Sequence, residues 1–383
     1  MAVFHGLLQR PLLWPILVYY IAGAFLLDIE SIFSQWTMIV IVSLVLALKR
    51  FDWSDRTEDQ AGDQSLSLLA MLSIASVVVV CLLVVDLNAF RISREFDREN
   101  NLLFEVINLH LISSWIAATL IFSGRKQARA LILLCAAVVG LSFLVAFFEG
   151  RRTSALLPII FLIYNVFLNG RFDGKRLMYL VILVALLPII FILVSNARGS
   201  GLAETQLATL TSRIFWPAFV LERVIHEAHA FDPQIIQQVS MRFVDALFGQ
   251  AYTSRTIAFG HSLGLVDLSN YAVGINFGIL AELYLEGGIF AVIVGLLLLN
   301  STVYVSTRLC RKAPFGLNVL IPLIYLHGFQ MEYAYTITAI VKLTVAILIL
   351  MLGVNALKRK RVAGERKARF GTYNNVDTYD NRI

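Results

Sequence analysis

The run GIFAVIVGLLLLNSTVYVS, residues 288–306, contains no charged side chain. A helix needs about 17 to 25 apolar residues to cross roughly 30 Å of hydrocarbon, so this run is long enough for one membrane span. Nine further apolar runs lie near residues 12–27, 32–48, 66–85, 103–122, 130–148, 153–169, 177–195, 316–330 and 336–356. The sequence therefore predicts about ten transmembrane helices.

The composition excludes a soluble globular domain. Of 383 residues, 58% are hydrophobic and only 15% are charged, which is far from the balance of soluble proteins. The short alternating strands of a porin are absent from the sequence, so helices are the expected spanning structure. No small-residue cleavage site follows the first run, and we expect it to remain as a helix. The predicted fold class is all-α, a polytopic integral membrane protein with a long periplasmic helical loop.

Positive charge in short loops predicts the orientation of these spans. Five clusters fall on one side if the number of spans is even and both termini are cytoplasmic. They are Lys49-Arg50-Arg56, Arg125-Lys126-Arg129, Arg171-Lys175-Arg176, Arg308-Arg311-Lys312 and Lys358–Arg361. No disulfide is expected, because Cys81 and Cys135 lie inside predicted spans and Cys310 lies on the predicted cytoplasmic side.

This topology divides the chain into four regions. Residues 1–195 hold helices 1 to 7, and residues 196–287 form a periplasmic loop with amphipathic or re-entrant helices. Residues 288–357 hold helices 8 to 10, and residues 358–383 form a basic cytoplasmic tail. The tail is polar and basic, so we expect it to be disordered or to lie along anionic headgroups.

The periplasmic side carries arginine but no lysine. Its arginines are Arg91, Arg94, Arg98, Arg151, Arg152, Arg198, Arg213, Arg223, Arg242 and Arg255, whereas every lysine except Lys342 lies in a cytoplasmic segment. Guanidinium grips phosphate oxygens in pairs, whereas lysine is a flexible point charge. This selection favours a phosphate or pyrophosphate ligand. The alternative is that these arginines pair with nearby acids and extend to headgroups, which is the interpretation we favour for Arg91, Arg94 and Arg98.

Two carboxylates lie just before the apolar run at 288–306. Gly274-Ile275-Asn276-Phe277-Gly278 interrupts the helical pattern, and Glu282 and Glu286 follow it. Acids four residues apart share a helix face, and at membrane depth we expect them to face a cavity. Alternatively, the two carboxylates pair with arginines or line a polar cavity and take no part in a reaction.

These features resemble a known family. Gly150-Arg151-Arg152-Thr153-Ser154 opens a helix, and Asn276-Phe277-Gly278 leads through Glu282-Leu283-Tyr284 to Gly287-Gly288 and Gly295. The pattern resembles bacterial O-antigen and oligosaccharide repeat-unit polymerases of the Wzy type, although the paired-arginine, ten-residue, glycine signature described for some members is absent. The resemblance implies an inner-membrane glycosyltransferase of the GT-C kind that joins undecaprenyl-pyrophosphate-linked repeat units.

The resemblance and the residues together suggest a site. Arg151, Arg152 and Arg198 would bind the donor pyrophosphate, and Arg255 would join them to stabilise the departing charge. His261 is the first choice of base for the acceptor hydroxyl, with Glu282 and Glu286 as alternatives, and an ordinary polar loop residue is the other interpretation of His261. Expected partners are lipid-linked donor and acceptor glycans, the lipid bilayer and, by resemblance, a chain-length regulator protein. No nucleic acid partner and no cofactor are expected.

Other functions and sites remain as alternatives. An O-antigen ligase would use the same donor, and His261-Ser262-Leu263-Gly264 is similar to a loop of that class. A transporter or flippase of lipid-linked or anionic substrates is the non-enzyme alternative. No metal site is predicted, although Glu222, His226 and His229 share a helix face that would suit zinc and Asp28-Ile29-Glu30 is similar to an acidic metal pair. Lys342, inside a span, is expected to pair with Glu332 or another buried acid.

Overall fold

The computed structural model describes the following parts of the chain. They are residues 13, 16–25, 27, 29–47, 112, 114–119, 133, 136–137, 140, 159–163, 165, 178–179, 181–183, 185–186, 189, 216–226, 278–328 and 333–373. Every regular element among these residues is helical, and no strand occurs in them. The all-α prediction is confirmed for this part of the chain.

Four longer helices can be followed. The N-terminal part has a π-helical turn, Ile16–Ile21, that runs into Ala22–Ala24, and a 3-10 turn, Glu30–Ile32, leads into helix α1, Phe33–Ala47. Helix α2 is Ile279–Leu309. A 3-10 turn, Pro314–Val319, precedes helix α3, Leu320–Gly328, and helix α4 is Tyr333–Tyr373. Helix α2 is central, because it contacts α1, α3 and α4.

Two of these helices are long and apolar enough to cross a membrane. They are α2, Ile279–Leu309, and the stretch Thr336–Gly353 of α4. Apolar helices of 10–17 residues occur at Glu30–Leu46 and Gly316–Tyr325. The predicted runs at 32–48, 288–306, 316–330 and 336–356 all coincide with helices. Most of the run at 12–27 is described, and it is helical from Ile16 to Ala24. The other five runs lie largely or wholly outside the described residues.

The tail was expected to be disordered or to lie along anionic headgroups, and helix α4 shows that disorder is wrong as far as Tyr373. It continues for 41 residues to Tyr373, so the basic stretch that begins at Lys358 is helical over most of its length. Alanine, lysine, arginine and glutamate dominate residues 356–369, and these residues have high helix propensity. A helix already formed through the apolar stretch extends without a new nucleation step, which polar composition alone does not reveal.

The core is continuous around α2. Trp115 and Phe161 pack edge to face with ring centroids 5.4 Å apart, and both are buried. In the helical segment 216–226, Ala218, Leu221 and Val224 are also buried in this core. An amphipathic helix, as expected within residues 196–287, is therefore seen in this segment, with its apolar face against protein.

Cys310 ends α2 and gives a chemical probe of the packing. Its thiol is buried and lies 3.9 Å from the Thr344 carbonyl oxygen of α4. Burial raises the pKa of the Cys310 thiol to about 11. Because the thiolate is the reactive form, only about one thiol in a thousand is ionised at pH 8.

We therefore expect slow alkylation of Cys310. In a Cys81→Ser, Cys135→Ser background, maleimide should label the folded protein far more slowly at pH 8 than the denatured protein, and the folded rate should climb as the pH approaches 11. The measurement is a time course of labelling by mass spectrometry. Equal rates in folded and denatured protein would contradict the buried position.

Candidate functional site

Helix α2 contains a sharp reversal between two half-helices. Gly287 (φ −176°, ψ 29°) and Gly288 (φ 60°, ψ −151°) are not helical, and they separate α2a, residues 279–286, from α2b, residues 289–309. The Cδ1 atom of Leu283 lies 2.7 Å from the position that a Cβ atom on Gly295 would take. In a straight helix these residues would be about 18 Å apart along the axis. The chain therefore folds back, and α2a lies against the beginning of α2b.

Glycine makes both ends of α2a possible. Gly278 has φ 77° and ψ 148° at the N-cap, and Gly288 has φ 60°. Positive φ with ψ near ±150° is a region that residues with a Cβ atom essentially do not occupy. The backbone interruption predicted at Gly274–Gly278 thus coincides with the start of α2a. The predicted domain boundary between residues 287 and 288 falls at its end.

Half-helix α2a is buried in the centre of the described core. Ile279, Leu280 and Ala281 are fully buried, and the two acids are almost as inaccessible, with Glu282 3% and Glu286 4% exposed. Carboxylates are rarely so deeply buried unless hydrogen bonds or charges compensate for lost hydration. These are the two predicted site residues that the structure describes, and it brings them together on one short helix.

The surroundings of Glu282 explain how its burial is compensated. Its Oε2 atom accepts a hydrogen bond from the backbone N–H of Tyr333, the first residue of α4. The first N–H groups of a helix have no partner within the helix, so this carboxylate satisfies one of them. The Tyr333 phenol is also within electrostatic range of Glu282.

A second buried hydrogen bond connects α3 to α2b. The Tyr325 hydroxyl donates to Asn300 Oδ1 at 3.1 Å, and Tyr333 follows at the start of α4. All three side chains are buried. We call Glu282, Glu286, Asn300, Tyr325 and Tyr333 the polar cluster. Asn300, Tyr325 and Tyr333 were not predicted as site residues, although a single asparagine inside an apolar run indicates that a hydrogen-bond partner exists.

The other predicted site residues lie outside the described part of the chain. They are Arg151, Arg152, Arg198, Arg255 and His261, together with the outer arginines Arg91, Arg94, Arg98, Arg213 and Arg242. Arg223, the remaining outer arginine, is exposed and lies over the Phe219 ring, 5.6 Å from its centroid. It therefore packs on its own helical segment.

The metal and lysine alternatives are described in part. His226 Nε2 lies 3.7 Å from Glu222 Oε1 within one helical turn, while His229 is outside the described residues. Glu30 is exposed, and its predicted partner Asp28 is also outside them. No group of three or more potential metal ligands occurs among the residues that the structure describes. Lys342 is partly buried and has an interaction partner, and Glu332 lies outside the described residues.

The site places two buried carboxyl groups, which can take part in proton transfer, on a helix that is broken at Gly287–Gly288. Ionisable side chains enclosed in apolar surroundings are typical of functional sites. Comparison with known protein families, with curated proteins and with solved structures finds no match for this chain.

Proposed function

We propose that this chain is a multi-pass inner-membrane glycosyltransferase that polymerises undecaprenyl-pyrophosphate-linked repeat units at the periplasmic face, with both termini cytoplasmic. The apolar surface supports the membrane placement. Only 28% of the residues in Thr336–Gly353 are buried, and Phe290, Leu298 and Leu352 are each more than half exposed. The core helix of a soluble protein would bury such side chains, whereas lipid-facing helices expose them.

The observation that best supports the proposed chemistry is the burial of Glu282 and Glu286 on α2a. In the reaction, the acceptor hydroxyl oxygen bonds to the donor anomeric carbon, and the bond from that carbon to the pyrophosphate oxygen breaks. The acceptor proton passes to a base, and negative charge remains on the departing lipid pyrophosphate. Buried carboxylates are candidate proton acceptors in addition to His261, which stays the first choice. The clamp of Arg151, Arg152, Arg198 and Arg255 would stabilise the leaving charge.

The experiment that tests this function is a gel of surface polysaccharide from a strain that lacks the gene, with and without a plasmid copy. A polymerase predicts lipid core that bears one repeat unit and no ladder, with the ladder restored by the plasmid. Polymer that accumulates on undecaprenyl pyrophosphate would instead indicate a ligase. An unchanged ladder would contradict both enzymes.

The arginine clamp has its own test. Arg151→Lys and Arg152→Lys keep the charge and remove the forked donor pair, so we expect ladder intensity to fall about tenfold or more, the loss of roughly one charge-assisted hydrogen bond. Arg125→Lys, the same change in a predicted cytoplasmic loop, should leave the ladder unchanged. Normal ladders from the Arg151 and Arg152 variants, at normal protein levels, would exclude both residues from the clamp.

A transporter of lipid-linked or anionic substrates is the second candidate. It is favoured by one observation, the broken helix with buried acids, because discontinuous helices also form substrate sites in secondary transporters. Uptake or flipping of a labelled lipid-linked substrate by proteoliposomes would identify transport. Polymer formation in sealed vesicles with donor and acceptor on one side would identify the enzyme.

A further inference from the structure

The two buried carboxylates of α2a have different surroundings. Glu282 is bonded to the first backbone N–H of α4, which is donated by Tyr333. That position also lies at the positive end of the α4 helix dipole, where a carboxylate is favoured. Glu286, one turn further along, precedes the reversal at Gly287–Gly288.

Half-helix α2a needs external contacts to fix its position. Its N-cap, Gly278, provides no side-chain hydrogen bond. At its other end the two non-helical glycines interrupt the backbone hydrogen bonding, so α2a is not held in line with α2b. One face is fixed by the packing of Leu283 on Gly295. The hydrogen bond between Glu282 and the Tyr333 amide adds a contact to the N-terminus of α4.

We propose that Glu282 is a positioning residue: its carboxylate holds α2a against the N-terminus of α4 and thereby places Glu286, which remains the carboxylate candidate for taking the acceptor proton. For the reaction itself, this inference rests on the proposed function. The role of Glu282 follows from what its oxygen accepts. On this proposal the oxygen acceptor is the essential feature of this side chain, and its negative charge adds the smaller dipole contribution.

Paired substitutions separate the two roles. Glu282→Gln keeps an oxygen that can accept the Tyr333 N–H, and we expect polysaccharide within about threefold of wild type. Glu282→Ala leaves a buried donor without its acceptor and should reduce polymer about tenfold or more. Glu286→Gln and Glu286→Ala should reduce it equally, because neither side chain takes up a proton. Glu30→Gln and Glu30→Ala, at an exposed position, should match wild type.

The pH profile gives a readout that a merely structural role would not move. Polymer formation in membrane vesicles should have the same pH dependence in wild type and Glu282→Gln. The proposal is overturned if Glu282→Gln is as inactive as Glu282→Ala while both variants fold, since charge would then be essential. It is also overturned if Glu282→Ala keeps full activity.

Thermal unfolding in detergent tests the contact without reference to the reaction. Glu282→Ala should unfold at a lower temperature than wild type, and Glu282→Gln should recover most of the difference. If the gene proves unrelated to polysaccharide synthesis, this comparison still decides the positioning role. Equal unfolding temperatures for wild type and Glu282→Ala would overturn it.

Discussion

Replacement of Gly288 by alanine should cause a large loss of stability for a change of a single methyl group. The residue has φ 60° and ψ −151°, a region where a Cβ atom meets its own backbone. Holding such a residue there costs about 1–3 kcal/mol, and the site is buried, so relaxation is restricted. We expect Gly288→Ala to unfold in detergent at a clearly lower temperature than wild type.

The matched control is Gly353→Ala. Gly353 lies inside α4 with nothing within 4 Å of the position that its Cβ atom would take. Alanine is favoured over glycine in a helix interior by about 1 kcal/mol, so this variant should be as stable as wild type or more so. A Gly288→Ala variant that behaves like Gly353→Ala would show that the chain does not reverse at Gly287–Gly288.

Substitution of Gly295 by alanine should also destabilise the protein, through a clash instead of backbone strain. The added Cβ atom would lie 2.7 Å from Leu283 Cδ1 and 3.1 Å from Leu283 Cγ. Leu283 is itself 3% exposed, so its side chain has little room to move. Overpacking of this kind costs about 1–3 kcal/mol.

A second substitution tests the cause of that effect. Leu283→Ala alone leaves a cavity and should destabilise the protein by about 2–5 kcal/mol. The double variant Gly295→Ala, Leu283→Ala removes the clash, so its loss should be smaller than the sum of the single losses. Thermal or denaturant unfolding of the four proteins gives the coupling energy. Strict additivity would mean that α2a and α2b do not touch at this point.

Local sequence patterns predicted the two long apolar helices that the structure describes. The apolar run at 288–306 and the run at 336–356 were visible because each is long and nearly free of charge. The interruption at Gly274–Gly278 was recognisable because two glycines within five residues break the helical pattern. The extension of α4 to Tyr373 was missed, because polar composition does not distinguish an exposed helix from a disordered tail.

Only one part of the candidate site could be predicted from the sequence, the pair of acids that lie close together in the chain. The spacing of Glu282 and Glu286 placed them on one helix face, and both acids are indeed buried together on α2a. The partner of Glu282 is a backbone N–H 51 positions later in the chain, and no side-chain pattern marks a backbone donor. The reversal at Gly287–Gly288 was likewise hidden, because two glycines are compatible with a kink of any direction.

The hydrogen bond between Glu282 and the Tyr333 amide depends on the position of α4 along its own axis. Helix α4 is unbroken over 41 residues, about 61 Å at 1.5 Å per residue, and its first amide is the one held by α2a. A slide of the helix by the rise of a single residue would move that amide about 1.5 Å, enough to break the hydrogen bond. The other end of helix α4 is the basic stretch near Tyr373. A shift of α4 along its axis would therefore break the contact between Glu282 and Tyr333 and disrupt the polar cluster.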